Sequence, residues 1–285
     1  MPELPEVETV RRYLAPVLEG RIFEHVAIDD PRLTRPLDRD DVARELEGEK
    51  VELVDRRGKY LIVRFRSGRA LLIHLRMTGS LAHAPSGELV DDPHRRAVVT
   101  LDDGSDVAYR DVRRFGTWLL LEQDEVEVYV DSRVGREPLG EAYRVKHLSE
   151  KLETRKAPVK AAILDQRTVA GVGNIYADEA LWRARIHPLI PARALTPTEV
   201  RALHRGIRKA LEVGIARQGS TLRDYRIPDG ARGQMQHEFK VYGRDGEPCD
   251  RCGTPIEKIR AGGRGTWYCP SCQAAAHPVA AGRPA

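Results

Sequence analysis

The chain begins Met1-Pro2-Glu3-Leu4-Pro5-Glu6-Val7-Glu8. An initiator methionine is commonly removed before a small residue such as proline, which here leaves a secondary amine beside the carboxylates of Glu3 and Glu6. An α-amino group has a reference pKa of about 8, against about 10.4 for lysine, so a usable fraction is unprotonated near neutral pH. Such a nitrogen can attack a carbonyl-like carbon. The iminium that a secondary amine forms is cationic at once and withdraws electrons without first taking up a proton. The chemistry suggested is Schiff-base catalysis on a sugar carbon. A blander reading fits the same residues: Pro5 in the first turn of a helix, with glutamates complementing the helix dipole. The two readings are compatible.

A second chemical signal lies at the other end. Cys249, Cys252, Cys269 and Cys272 form C-x2-C-x16-C-x2-C and are all the cysteines of the chain. Two thiolate pairs on tight turns suit one tetrahedral, closed and therefore structural zinc ion. The stretch between them, Gly253 to Tyr268, reads as a β-hairpin carrying Lys258, Arg260 and Arg264, the composition of a basic finger for phosphates.

Elements must hold these groups in place. Val7, Val10, Leu14 and Val17 recur at helical spacing and Gly20 follows as a stop, so a first helix anchors the N-terminus to a core. Strand-like runs follow at Arg21 to Asp29, Lys50 to Arg57, Tyr60 to Phe65, Ala70 to Met77, Ala97 to Leu101, Val107 to Tyr109 and Thr117 to Leu121. Turns fall at Ser67-Gly68 and Asp103-Gly104, and Asp38 to Leu46 reads as a short helix. Many short strands with tight turns predict a β-sandwich over residues 1–133. Residues 134–147, with Gly135, Pro138 and Gly140, have a linker's composition. The period then becomes helical at Leu148 to Glu153, Ala157 to Asp165, Ile175 to Ala184 and Pro197 to Arg217, the last capped by Thr196. A helical domain over 148–240, a zinc finger over 241–275 and a disordered tail at 276–285 complete an α+β chain of two domains.

The chain is 285 residues long and 41% hydrophobic, enough for two domains with proper cores. It has no membrane-length apolar run and no signal-peptide pattern, so it is expected in the cytoplasm. The net charge of +4 is unevenly placed: Arg201 onward holds 15 Lys/Arg and 8 Asp/Glu. That asymmetry favours a polyanionic partner, although a solvated surface would look similar.

Taken together, these motifs resemble the formamidopyrimidine-DNA glycosylases, bacterial repair enzymes related to endonuclease VIII. The opening octapeptide looks like that family's start. Gly171-Val172-Gly173-Asn174-Ile175-Tyr176-Ala177 looks like its helix-two-turns-helix core, and Val241-Tyr242-Gly243-Arg244 leads into its zinc finger. Endonuclease VIII proteins usually have glycine where this chain has Leu4, which favours the oxidised-purine branch.

The resemblance implies roles. Pro2 would attack C1′ of the damaged nucleotide, Glu3 would donate a proton as the sugar opens, and Glu6 would orient the cluster. Lys59 matches a lysine linked to β-elimination and Arg264 an arginine assigned to δ-elimination, where a permanently charged guanidinium suits gripping the phosphate. Met77, Arg113 and Phe115 correspond to residues that fill the gap left by a flipped nucleotide. His94, Arg113 and Arg155 match DNA-contacting positions, and Asn174 matches a phosphate ligand. Without the resemblance, Lys59 would read as a solvated turn residue, Met77 as core and Arg113-Arg114 as a surface pair. The loop Gly219 to Glu238 resembles the cover of the flipped base, with Gln234-Met235 replacing a common aromatic pair. The implied activity is a bifunctional glycosylase and AP lyase on oxidised purines in damaged double-stranded DNA. The enzyme would be a nucleoid-associated monomer with structural zinc, no membrane attachment and no nucleotide cofactor. The alternatives are the same chemistry on oxidised pyrimidines, and a non-catalytic zinc-finger damage sensor.

Overall fold

The computed structural model describes residues 1–275 and 277; the tail expected at 276–285 lies, His277 apart, outside the described residues. The chain divides into two compact units, Met1–Ser132 with Arg217–Gln236, and Arg133–Ala216 with His237 onward. The segment Arg217–Gln236, read from the sequence as part of the helical domain, thus folds with the first unit.

In the first unit, α1 (Leu4–Leu18) forms because Pro5 presets its first turn and a capping box closes its start, with Glu6 Oε2 accepting the Glu3 N–H at 2.8 Å. Its inward face is Val7, Val10, Leu14 and Leu18, all buried; Val17, expected on that face, is only partly covered. Burying each such side chain contributes roughly 1.5–3 kcal/mol. Two four-stranded antiparallel sheets follow. One has the order β1 (Phe23–Ile28), β6 (Arg95–Leu101), β7 (Ser105–Asp111), β5 (Gly79–Pro85). The other has the order β2 (Val51–Arg57), β3 (Tyr60–Phe65), β4 (Ala70–His74), β8 (Thr117–Leu121). One core holds residues of both sheets and of α1, with the Phe23–Phe65 and Tyr109–Trp118 edge-to-face pairs joining the sheets. The β-sandwich expected from the strand pattern is present.

Two elements of this unit escape the sequence pattern. Strand β5 lacks a clean alternation and ends in Pro85, which an edge strand tolerates. Helix α3 (Gln123–Asp131) is rich in valine and alternates like a strand. It is helical because the Glu122 N–H is capped by Glu125 at 3.1 Å and Val126 and Val130, four apart, are both buried. The predicted short helix is α2 (Arg39–Leu46), with Asp38 as its N-cap.

The second unit contains α4 (Val145–Leu152), α5 (Val159–Leu164), α6 (Asn174–Ala184), α7 (Pro197–Ala216) and the hairpin β9 (Glu257–Ala261)–β10 (Arg264–Tyr268). Thr196 caps α7 with Glu199 in a reciprocal box. Helices α6 and α7 approach closely at Gly206, where a Cβ would lie 2.6 Å from the Ala180 carbonyl oxygen. The hairpin turn is Gly262-Gly263, with φ of +56° and +77°, the left-handed conformation that a two-residue turn needs. No helix among the described residues is long and apolar enough to cross a membrane.

Candidate active site and metal centre

Within the first unit the N-terminal residues are tied down by two carboxylates, Glu6 and Glu8. Glu6 holds the Glu3 N–H with one oxygen and accepts the Ser220 N–H at 2.7 Å with the other, joining the start of α1 to the segment 217–236. Gly219 makes this approach possible: with φ at +75°, a Cβ there would come within 2.8 Å of Glu6 Cγ. Tyr225 adds a hydrogen bond from its hydroxyl to the Glu6 carbonyl oxygen at 3.3 Å. Glu8 points elsewhere. It accepts from Arg11, Arg12 and Arg56, and Arg56 in turn donates to the Gly58 carbonyl oxygen at 2.9 Å. Lys59, buried in the two-residue turn between β2 and β3, is therefore fixed relative to α1 through Glu8 and Arg56. Burial pushes the Glu8 carboxyl up, but the hydrogen bonds from Arg11 and Arg12 and the charge of Arg56 outweigh it and bring it down to about 2.

Met1 lies on the wall of an open basin of about 660 Å³, lined also by Arg32, Arg35, Arg76, Met77, Arg114 and Phe115. Since Met1 is bonded to the Pro2 nitrogen, its excision leaves the imino group at that wall. Arg32, Arg35 and Arg76 make no ion pair among the described residues, whereas Arg114 is held bidentately by Asp30 at 2.6 and 2.7 Å. Met77 and Phe115 are 38% and 53% exposed, too exposed to be core, and the Arg113 guanidinium stacks 4.8 Å over the Phe115 ring. Buried Asp111 holds the loop that carries them. It accepts the Thr78 hydroxyl, the Arg113 N–H at 3.2 Å and the Gly116 N–H at 2.7 Å. Neighbouring His74 is kept neutral: burial, then the charges of Arg76 and Lys59, depress it to about 3, and its Nδ1 accepts the Arg76 N–H. His94, half-buried at the entry to β6, has its N–H held by Asp92 at 2.7 Å.

In the second unit, Arg155 pairs with Asp165 at 2.9 Å. Asn174 opens α6 behind the Gly171-Val172-Gly173 turn, which the Gln166 side chain braces by accepting from Gly171 N–H and donating to the Val172 carbonyl. Its amide nitrogen donates to the Gly265 carbonyl oxygen at 3.0 Å, so Asn174 touches the hairpin as well as heading its helix. Arg264 is exposed at the first position of β10. Fully buried Glu179 accepts the N–H groups of Lys240, Val241 and Tyr242 at 2.8–3.2 Å and so fixes the approach to the finger.

The four cysteine sulfurs lie within 4.8 Å of one another, with Cys249–Cys272, Cys252–Cys269 and Cys252–Cys272 at 4.0, 3.5 and 3.4 Å. A tetrahedron with Zn–S near 2.3 Å has edges of about 3.8 Å, whereas a disulfide would need about 2.05 Å. The donor set fits one structural zinc ion and leaves no open position. The finger docks on α6: Trp182 joins Val241, Cys249, Ile256 and Cys269 in a small core, donates to Cys249 Sγ at 3.5 Å and is covered by the Arg251 guanidinium at 3.6 Å.

The residues expected to react are legible in the sequence, whereas most of those that hold them are not. Glu8 with Arg11 and Arg12 was visible as helical i,i+3 and i,i+4 spacing. Asp111, Gln166, Asp178, Glu179 and Lys160 carry no local signal, because their partners are distant in the chain.

Guanidinium groups without carboxylate partners, apolar side chains at the basin wall and a thiolate-bound basic hairpin define a class of zinc-finger proteins that work on nucleic acid. Comparison with known proteins narrows it. Residues 1–118 match the formamidopyrimidine-DNA glycosylase N-terminal domain, 134–226 its H2TH domain, and 246–275 the zinc finger found in FPG and IleRS. A formamidopyrimidine-DNA glycosylase of Roseiflexus sp. (strain RS-1) is 46% identical over 274 residues, covering 96% of this chain and 100% of the relative. The fold matches Lactococcus lactis FPG in complex with a FAPY-dG containing DNA, with a TM-score of 0.88, 37% identity and coverage of 95% and 100%. It also matches the wild-type Lactococcus lactis FPG with an oxidised pyrimidine containing DNA, with a TM-score of 0.89, 38% identity and coverage of 96% and 100%. The chain belongs to the formamidopyrimidine-DNA glycosylase family: it is a DNA-repair glycosylase with a structural zinc finger.

Proposed function

We propose that this chain excises oxidised purines, among them 8-oxoguanine and formamidopyrimidines, from duplex DNA and then cuts the strand by β,δ-elimination. The observation that carries this reading is the placement of Met1, bonded to the Pro2 nitrogen, on the wall of an arginine-lined basin, with Glu3 and Glu6 next in the chain. In the reaction the Pro2 nitrogen bonds to C1′ as the glycosidic bond breaks, the base leaves with a proton, and Glu3 supplies a proton to the ring oxygen as the sugar opens. Loss of a C2′ proton then breaks C3′–O3′, and loss of a C4′ proton breaks C5′–O5′; each break releases a phosphate, and water finally frees the enzyme. Lys59 serves the first elimination and Arg264 stabilises the phosphate leaving in the second. Glu6 orients the amine, while Met77, Arg113 and Phe115 occupy the gap in the stack. His94, Arg155 and Asn174 hold backbone phosphates.

The catalytic share falls to residues 1–133, DNA gripping to 148–240 and the elimination arginine to the finger at 241–275, with the enzyme acting as a monomer at the nucleoid. Borohydride trapping on a duplex with 8-oxoguanine opposite cytosine, followed by mass mapping, tests the reading, and a covalent product on any residue other than Pro2 would refute it. Action on oxidised pyrimidines is the second reading, favoured by the lesion bound to the Lactococcus lactis relative. A panel of single-lesion duplexes ranks the two.

A further inference from the structure

Lys160 is the molecule's least expected residue: a lysine with no exposed side-chain surface, on the short helix α5, facing an equally buried Asp178 of α6 at 2.8 Å. The ammonium donates to the Gly265 carbonyl oxygen at 2.9 Å and to the Thr266 hydroxyl at 2.8 Å, and Asp178 Oδ1 faces it as the counter-ion. Asp178 spends its other oxygen on the Trp267 N–H at 3.2 Å, and Asn174 adds a second donor to the Gly265 carbonyl. Three consecutive residues, Gly265, Thr266 and Trp267, are thus pinned to α5 and α6 by polar contacts 89 to 106 positions apart in the chain. On the other side of the turn, Gly262 rests on Ala161, the neighbour of Lys160, so closely that a Cβ there would lie 3.0 Å from the Ala161 methyl. Between these two anchored stretches stands Arg264, with its side chain exposed.

Burying an ion pair is a poor way to stabilise a fold, since an apolar pair of similar volume often does as well or better. Its advantage is direction. The hairpin could rest on α5 through packing alone, but packing would not fix the rotation of the Gly265 carbonyl and the Trp267 N–H, and with them the angle at which the Arg264 stem leaves the backbone. A misplacement of about 1 Å at a reacting centre can cost on the order of a hundredfold in rate.

We propose that Lys160, with Asp178 as its counter-ion, is a positioning residue for the second elimination, acting through the backbone of Gly265–Trp267 to aim Arg264 at the departing phosphate. The inference rests on the role given to Arg264 above. It assigns the buried pair to one step of the reaction and leaves amine attack and the first elimination to other residues.

The test is product partition on an abasic-site duplex, where β and β,δ products separate by length. Purified full-length variants are compared in δ/β ratio, borohydride trapping, KM for DNA, melting temperature and zinc content. Arg264→Ala sets the benchmark. If it leaves the δ/β ratio unchanged, the role of Arg264 itself fails and the positioning role falls with it. If it lowers the ratio, the pair is judged separately. Lys160→Met joined with Asp178→Leu removes both charges at similar volume. It is expected to lower the δ/β ratio at least tenfold, with trapping and KM within threefold of the parent and one zinc per chain retained. Thr266→Val, a milder change, is expected to lower the ratio threefold or more and Thr266→Ser to restore it, which keeps the proposal testable should the double variant not fold. A ratio unchanged in Thr266→Val, or trapping, β and δ rates falling in parallel with the melting temperature, would overturn the proposal.

Discussion

The two ends of this chain solve the same problem, holding a group with a proposed part in the chemistry still, by opposite means. At the N-terminus the proline is carried by a helix whose apolar stripe is sunk in the sandwich core. Its local cap comes from a residue three positions on, and the links to Ser220 and Tyr225 are long-range. At the finger the hairpin has almost no core of its own. Its position depends on four thiolates around a metal ion, one indole and hydrogen bonds to the buried Lys160–Asp178 pair of α5 and α6. The difference teaches where each half should fail: the first through packing and protonation, the second through loss of its metal ion or its buried charges.

Chelation should give the largest effect. Stripping zinc removes the cross-link between the two turns that flank the hairpin, so DNA affinity is expected to fall at least a hundredfold and the δ product to vanish. Melting of the sandwich, followed by circular dichroism, should shift little, and added zinc should restore binding. Loss of the sandwich transition together with the finger would break the contrast. Next comes Gly116→Ala in the loop that carries Arg113 and Phe115. A Cβ there would sit 1.7 Å from the Tyr109 hydroxyl oxygen, which is buried against Trp118 and cannot step aside. Overpacking of this kind typically costs about 1–3 kcal/mol, so the sandwich should melt several degrees lower and binding of lesion DNA should weaken, while finger zinc content stays at one per chain.

Acid should also divide the halves. Glu8 has its folded pKa depressed from 4.5 to about 2, so the stability it contributes is complete above about pH 4.5 and is lost as pH falls towards 2. His74, depressed from 6.5 to about 3, favours its neutral form, and its contribution likewise fades as pH falls below 6.5. The sandwich melting temperature should therefore decline from about pH 6.5 downward, more steeply below 4.5. Glu8→Gln should be less stable than the parent at neutral pH and show a shallower decline below 4.5. A parallel decline in the two proteins would contradict the assignment. The smallest effect is expected from Arg155→Ala. If Arg155 holds a single backbone phosphate, as proposed, its loss should weaken binding to damaged and undamaged duplex alike and reduce the salt slope by about one.

How much of this is legible in the sequence follows the same division. The α1 stripe, the strands β3 and β8, the Asp38 and Thr196 caps and the four-cysteine spacing are local patterns, and local patterns survive in a sequence. Strand β5 escapes it because, at a sheet edge, it lacks a clean alternation, and helix α3 because capping and buried valines four apart override a misleading one. The supporting polar residues escape it for a deeper reason. Nothing about Lys160 or Asp111 in isolation says that it will be buried, since a lysine or aspartate is ordinarily solvated and only its distant partners make burial tolerable. Arg217–Gln236 shows the same limit at larger scale: following a helix in sequence, it folds with the sandwich because Glu6 and Gly219 meet there.

The most direct measurement compares borohydride trapping by two preparations of the same chain, one with Met1 removed and one with Met1 retained, on a duplex containing 8-oxoguanine. The account predicts a stable protein–DNA adduct mapping to Pro2 in the first and none in the second, with Pro2→Gly trapping partially because a terminal amine remains. Normal turnover and trapping by the Met1-retained protein would contradict it.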